Sequence, residues 1–172
     1  VDERYQERQA QCQEALHDLQ TVIAIQNLSE LTADVFEQVQ EMIRRPVCLR
    51  RARHAVTENQ RTIQAVEALN KGDIREFGQL MNASHLSLKE DFEVSCEELD
   101  ILVEEAWEIE GVLGSRMMGA GFGGCTISIV ENDAVNEFVS RVGSHYKERT
   151  GRVLHYGDRQ WSIRSLMLHF LN

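Results

Sequence analysis

The sequence predicts an α+β fold in which helices pack on a small antiparallel sheet. Two observations carry this. Apolar residues recur at helical spacing through roughly the first 110 of the 172 residues, and strand-like runs then flank a cluster of glycines. A further helical pattern and another strand-like run follow, giving the order helices, strand, loop, strand, helix, strand. Repeats, low-complexity stretches and linkers are lacking, so one domain over residues 1–172 is expected.

Taken in order, Cys12, Leu16, Leu19 and Ile23 place an amphipathic helix over about Glu3 to Ile25. Val35, Phe36, Val39, Met42 and Ile43 make a short second helix that ends near Pro46, the only proline. A longer one runs from about Leu49 to Asn70, with Gly72 as its terminating residue. Asp73-Ile-Arg-Glu76 starts a short helix bearing Ile74, Phe77, Leu80 and Met81, and Ser87-Leu-Lys-Glu90 and Ser95-Cys-Glu-Glu98 repeat the capping device. The last of these opens a helix with Leu99, Leu102, Val103 and Ala106 on its inner face, stopped by Gly111. Val112 to Met117 and Thr126 to Val130 read as strands. Asp133 caps a helix carrying Val135, Phe138, Val139, Val142 and Tyr146, which Gly151 ends. Arg152 to Tyr156 reads as one more strand, and Ser162 to Leu171 as a short amphipathic helix or an exposed apolar end.

The chain is organised around Gly114 to Val130, which holds five of the eleven glycines. Gly119, Gly121, Gly123 and Gly124 fall within six residues and encode a tight loop that another group can approach closely. Successive N–H groups in such a loop can form an anion-binding concavity. On residue chemistry alone, a hairpin turn that uses glycine only for geometry is the preferred reading. A dinucleotide fingerprint needs a strand before the glycines and a helix after them, whereas here a strand leaves the loop. No Lys-Ser/Thr follows to make a P-loop.

A net charge of −10 argues against a general nucleic-acid partner, and no apolar run reaches the length of a membrane span. Cys12, Cys48, Cys96 and Cys125 are widely spaced and read as reduced thiols, which fits a cytoplasmic setting, rather than as a disulfide framework or zinc site. A sequence beginning at Val1 without methionine or leader reads as a piece of something longer. His54 and Glu58, like His17 and Thr21, lie four apart on a helix face. With no third ligand nearby, a surface hydrogen bond is expected for the His–Glu pair. Arg44, Arg45, Arg50, Arg51 and Arg53 read as a solvated helix face, and Asp91, Glu93, Glu97, Glu98 and Asp100 as acidic helix starts. Ser84, His85 and Asp91 contain the residue types of a hydrolase triad but are too crowded along one segment to form it.

GSRMMGAGFGGC resembles the third conserved motif of the GHMP small-molecule kinases, in the form galactokinases carry. RRARHAVTENQRT (residues 50–62), GDIREFGQLMNASHLSL (72–88) and DFEVSCEELD (91–100) resemble galactokinase segments in the same order, as does Tyr5 followed by Arg8 and Cys12. The resemblance covers about Tyr5 to Thr150. It implies a GHMP kinase C-terminal domain with a ferredoxin-like element, and transfer of the γ-phosphoryl of ATP to the C1 hydroxyl of galactose with Mg²⁺. The sugar motif, ATP loop and catalytic Asp would lie in an N-terminal kinase domain, the expected partner. By the same resemblance Tyr5 contacts the sugar, and Gly119, Ala120, Gly121, Gly123 and Gly124 line the nucleotide cleft; no metal ligand or catalytic residue is expected in this segment. A catalytically silent galactose and ATP sensor, or an N-acetylgalactosamine kinase, are the alternatives. Two departures stand out. Met118 replaces the usual threonine, and residues 152–172 do not follow the family's last strand and Asp-Gly turn. A missing strand would leave a sheet edge open to self-association.

Overall fold

The computed structural model describes residues 3–161 and 164–170, those after Tyr156 by backbone alone. The described residues form six α-helices and four strands, in the expected order as far as β3: α1 (Glu3–Leu19), α2 (Ala33–Val39), α3 (Pro46–Lys71), α4 (Ile74–Glu90), α5 (Glu97–Trp107), β1 (Val112–Met118), β2 (Cys125–Val130), α6 (Val135–Thr150), β3 (His155–Trp161) and β4 (Arg164–Phe170). The strands form one antiparallel sheet in the order β1-β2-β4-β3.

Several boundaries differ from the sequence reading, each for a local reason. α1 stops at Leu19 rather than near Ile25, because the β-branched run Thr21-Val22-Ile23 is poor helix and the Thr21 hydroxyl bonds back to the Asp18 carbonyl. Pro46 opens α3 instead of only closing the segment before it, as suits a residue whose missing N–H has no helical partner in the first turn. Gly72, at φ 71°, ends that helix as expected. Asp73 caps α4 through the Glu76 amide, but α4 continues to Glu90 straight through Ser87, which caps nothing. Ser95 likewise gives no cap: Cys96 occupies the position, and the Ser95 hydroxyl bonds Asp100 at 2.5 Å. Asp133 sits inside a single 3₁₀ turn ahead of α6 and makes no side-chain cap.

The largest correction concerns the end of the chain. Arg164–Phe170 is a strand, not a helix, and pairs with both β2 and β3. A short apolar run satisfies either periodicity, and the unpaired edge of β2 supplies the hydrogen-bonding partner that decides between them. The strand whose absence would have left a sheet edge open is therefore present, and it covers the edge of β2. The side chains of the apolar tail lie outside the described residues.

Burial divides the interior into linked clusters. α1, α2 and α3 enclose Ala15, Leu19, Phe36, Cys48, Ala52 and Val56. α5 and α6 close over Ile101, Leu102, Val130, Phe138, Val142 and Tyr146. Between them α4 lies along β1, and two glycines set that approach. A Cβ at Gly78 would overlap the Leu113 carbonyl, and one at Gly114 would overlap the Gly78 backbone. The contact lets α4 side chains reach the free edge of β1: Asn82 Oδ1 accepts from the Ser115 amide at 2.8 Å and His85 Nδ1 from the Met117 amide at 3.2 Å.

Gly78→Ala is expected to cost about 2 kcal/mol through overpacking, read as a lower urea midpoint at unchanged slope. Gly119→Ala, where nothing lies within 4 Å of the added carbon, should cost about 1 kcal/mol from its left-handed backbone alone. Equal losses would mean that α4 and β1 are not in this close contact.

Candidate functional site

The hairpin β1–β2 closes at the pair Met118–Cys125, leaving Gly119 to Gly124 as a six-residue loop. All four loop glycines have positive φ, from 87° to 131°, and Phe122 joins them at 61°. Only Ala120 adopts an ordinary backbone, so the run of glycines is a geometric requirement. The loop has an open side and an anchored side. Met118, Gly119, Ala120 and Gly124 are exposed, and the positions where Gly119 and Gly123 would carry side chains face open space. Gly121, by contrast, lies against the Val94 carbonyl so closely that a Cβ would overlap it, and the Phe122 amide donates to that carbonyl at 2.6 Å.

The strap that receives the loop, Asp91 to Val94, is itself held by arginines from two helices. Arg8 of α1 donates to the Phe92 and Glu93 carbonyls at 2.8 and 3.1 Å. From α3, Arg51 donates to the Asp91 carbonyl at 2.6 Å and pairs with the Glu93 carboxylate, which Arg50 also contacts. Arg51 is only 1% exposed and donates through Nε to a third partner, Gln11 Oε1 of α1. It is therefore not part of a solvated basic face. The hydrogen bond from Arg51, helped by its charge, holds the Glu93 carboxyl below its usual range. Of the acidic residues expected to serve helix starts, Glu97, Glu98 and Asp100 do lie in the first turn of α5, and some of the set also hold partners across the fold. Asp100, for example, takes Lys89 at 3.2 Å and Ser95, and His85 Nε2 lies 3.4 Å away.

Behind the strap, α3 and α4 share a buried polar cluster. The Ser87 hydroxyl donates to Asp91 and so accepts from His54 Nδ1 at 2.9 Å, while the His54 ring stacks on Phe92. Burial pushes the His54 pKa down to about 4. The expected surface bond between His54 and Glu58 is replaced by separate commitments. Glu58 accepts from Ser84 and Arg61 and lies 3.5 Å from Arg116. Burial raises the Glu58 carboxyl, but the bonds from Ser84 and Arg61 outweigh it and leave the pKa lowered. Ser84, His85 and Asp91 thus turn to three different sets of partners.

Tyr5 stands on the first turns of α1 and is 42% exposed. The adjacent Arg4 lies over the Phe122 ring at 4.0 Å, so the helix bearing Tyr5 meets the glycine loop. The strap and its arginines were not found as a site from the sequence; the signal was Arg8, three residues after Tyr5, and the unbroken polarity of Asp91 and Glu93 around Phe92. Among the described residues no three His, Cys, Asp or Glu side chains gather as metal ligands, and all four cysteines are free thiols. No helix among the described residues is long and apolar enough to cross a membrane.

A β-hairpin with this loop, flanked by helices in this order, is the arrangement of a GHMP kinase C-terminal domain. The family described as GHMP kinases C terminal matches residues 65–148. Over most of its length the chain is similar to galactokinases. It is 54% identical over 151 residues to the galactokinase of Clostridium acetobutylicum, covering 88% of this chain and 39% of that one. The galactokinase of Fusobacterium nucleatum is 56% identical over 152 residues, with the same two coverages. The crystal structure of Lactococcus lactis galactokinase complexed with galactose superposes with a TM-score of 0.86 at 42% identity, over 99% of this chain and 42% of that chain. L. major mevalonate kinase in complex with R-mevalonate matches with a TM-score of 0.52 at 27% identity, over 83% of this chain and 39% of that chain. The chain spans about two fifths of the length of the curated relatives it matches.

The buried neutral imidazole gives a pH signature. Between pH 6.5 and about 4 the unfolded chain protonates His54 while the folded chain does not. Its contribution therefore rises with pH across that window, by roughly 3 kcal/mol in total. Urea unfolding at pH 7, 5.5 and 4.5 should show this slope to be shallower in His54→Gln than in wild type. Parallel profiles would place the ring in water.

Proposed function

We propose that this chain is the C-terminal part of a galactokinase, which transfers the γ-phosphoryl group of ATP to the C1 hydroxyl of galactose with Mg²⁺. In this reading residues 1–172 form one C-terminal kinase domain in which 152–172 is an atypical tail. A separate N-terminal domain, in the cytoplasm, supplies the catalytic Asp and the ATP loop. The observation that supports it best is the loop Gly119 to Gly124, with its backbone open on one side and fixed on the other. Phosphoryl transfer depends on positioning and on dipoles set in place before charge develops. Backbone N–H groups with no side chains in the way can approach phosphate oxygens closely. Gly119, Ala120, Gly121, Gly123 and Gly124 then form one wall of the nucleotide cleft, and Tyr5 offers its hydroxyl to the sugar. Mg²⁺ would arrive with ATP and be held by phosphates and the other lobe.

The test is reconstitution. The chain alone should form no galactose 1-phosphate, and mixing or co-expressing it with the N-terminal half of a close relative should restore turnover. Binding of both ligands by the reconstituted protein without product would make it a sensor instead. In the active complex, Tyr5→Phe should raise the KM for galactose by about tenfold, the cost of one lost hydrogen bond to substrate. An unchanged KM would remove Tyr5 from the sugar site.

A further inference from the structure

From Glu3 to Ala10, the first two turns of α1, every side chain is exposed except Arg8. Arg8 is 12% exposed, although it belongs to the most solvated stretch of the helix. Its guanidinium reaches across 84 and 85 residues of sequence to the Phe92 and Glu93 carbonyls. Two carbonyls in succession on a fork of N–H donors fix the planes of both peptides that flank Glu93, which a single contact does not. The residue between those peptides sits in an uncommon conformation. Glu93 has φ 54°, one of only two non-glycine residues with positive φ among the described residues. The other is Phe122, whose amide hangs from the next carbonyl, Val94 O. The Phe122 ring in turn lies beneath Arg4 at 4.0 Å and near Arg8 at 5.9 Å. The two left-handed residues are thus linked through Val94 by one hydrogen bond, with Arg8 bonded to the strap on one side and near the ring on the other.

We infer that Arg8 is a positioning residue that locks the Tyr5 end of α1 to the glycine loop, by fixing the peptides that flank Glu93 and backing the Phe122 ring. Left-handed backbone at a non-glycine residue persists only where its surroundings over-determine it. For Glu93 those surroundings are Arg8 on the carbonyl, and Arg50 and Arg51 on the carboxylate. Arg51 reaches the same strap from α3, whereas Arg8 joins α1 to the strap and lies near the loop ring. The meaning of the link rests on the kinase reading: the surface offered to the sugar and the wall offered to the nucleotide would move as one body. The link itself does not depend on that reading.

The experiment is residue-resolved amide hydrogen exchange on the chain without ligands, in wild type, Arg8→Met and Arg8→Lys. Arg8→Met keeps most of the side-chain length and removes the donors. Exchange at the Phe122 amide should accelerate by about tenfold or more, since a charge-assisted pair of bonds supports its partner strap. The Val142 amide, in the buried face of α6, should keep its wild-type rate. Arg8→Lys restores charge and one donor, and should return Phe122 most of the way. An unchanged Phe122 rate in Arg8→Met, an equal acceleration at Val142, or no rescue by lysine would each overturn the inference. These outcomes are independent of turnover, so failed reconstitution would sink the kinase reading and leave the link standing.

Discussion

The architecture depends on how closely α4 can lie against β1. Gly78 and Gly114 meet backbone to backbone with no room for a methyl group on either. That proximity brings Asn82 and His85, three apart on the helix, against the Ser115 and Met117 amides, two apart on the strand. A turn of helix and a pair of strand residues advance by similar distances, so the two spacings register. The helix therefore satisfies the donors that a neighbouring strand would otherwise take. Trp107 Nε1 shares the Asn82 oxygen at 2.6 Å, tying α5 into the same seam. Met117, the last buried residue of β1, is thus fixed one position before the strand's exposed end, and the loop leaves from a rigid base.

The loop combines permissive sequence with imposed posture. Glycine makes left-handed conformations accessible but selects none of them. Selection comes from outside: from the Val94 carbonyl, from the strap behind it, and from arginines whose own positions are set by α1 and α3. Polar groups buried for this purpose are costly unless fully partnered. Arg51 meets the condition with Gln11, the Asp91 carbonyl and Glu93. The cluster of His54, Ser87 and Asp91 meets it one layer further in.

Element order and type were legible because Leu16, Leu19, Ala52, Leu99, Leu102, Phe138 and Val142 repeat at helical spacing and are buried on that spacing. The glycine loop was legible as a loop, since no other residue adopts that backbone so readily. The burial of Arg51 was not, because its four basic neighbours look identical in sequence and only tertiary partners distinguish them. His54 was read as a surface group for the same reason: its true partner, Ser87, lies 33 residues away. Helix starts at Ser87 and Ser95 were misplaced because a hydroxyl can cap locally or bond across the fold, and the sequence shows only the first option. The final strand was mistaken for a helix because the edge that recruits it belongs to a distant segment.

The way β1 is sealed also determines how copies of this sheet can stack side by side. With alternate amides of that strand occupied by side chains of α4, a foreign strand arriving there finds no free ladder of donors. The opposite border of the described sheet is formed by β3.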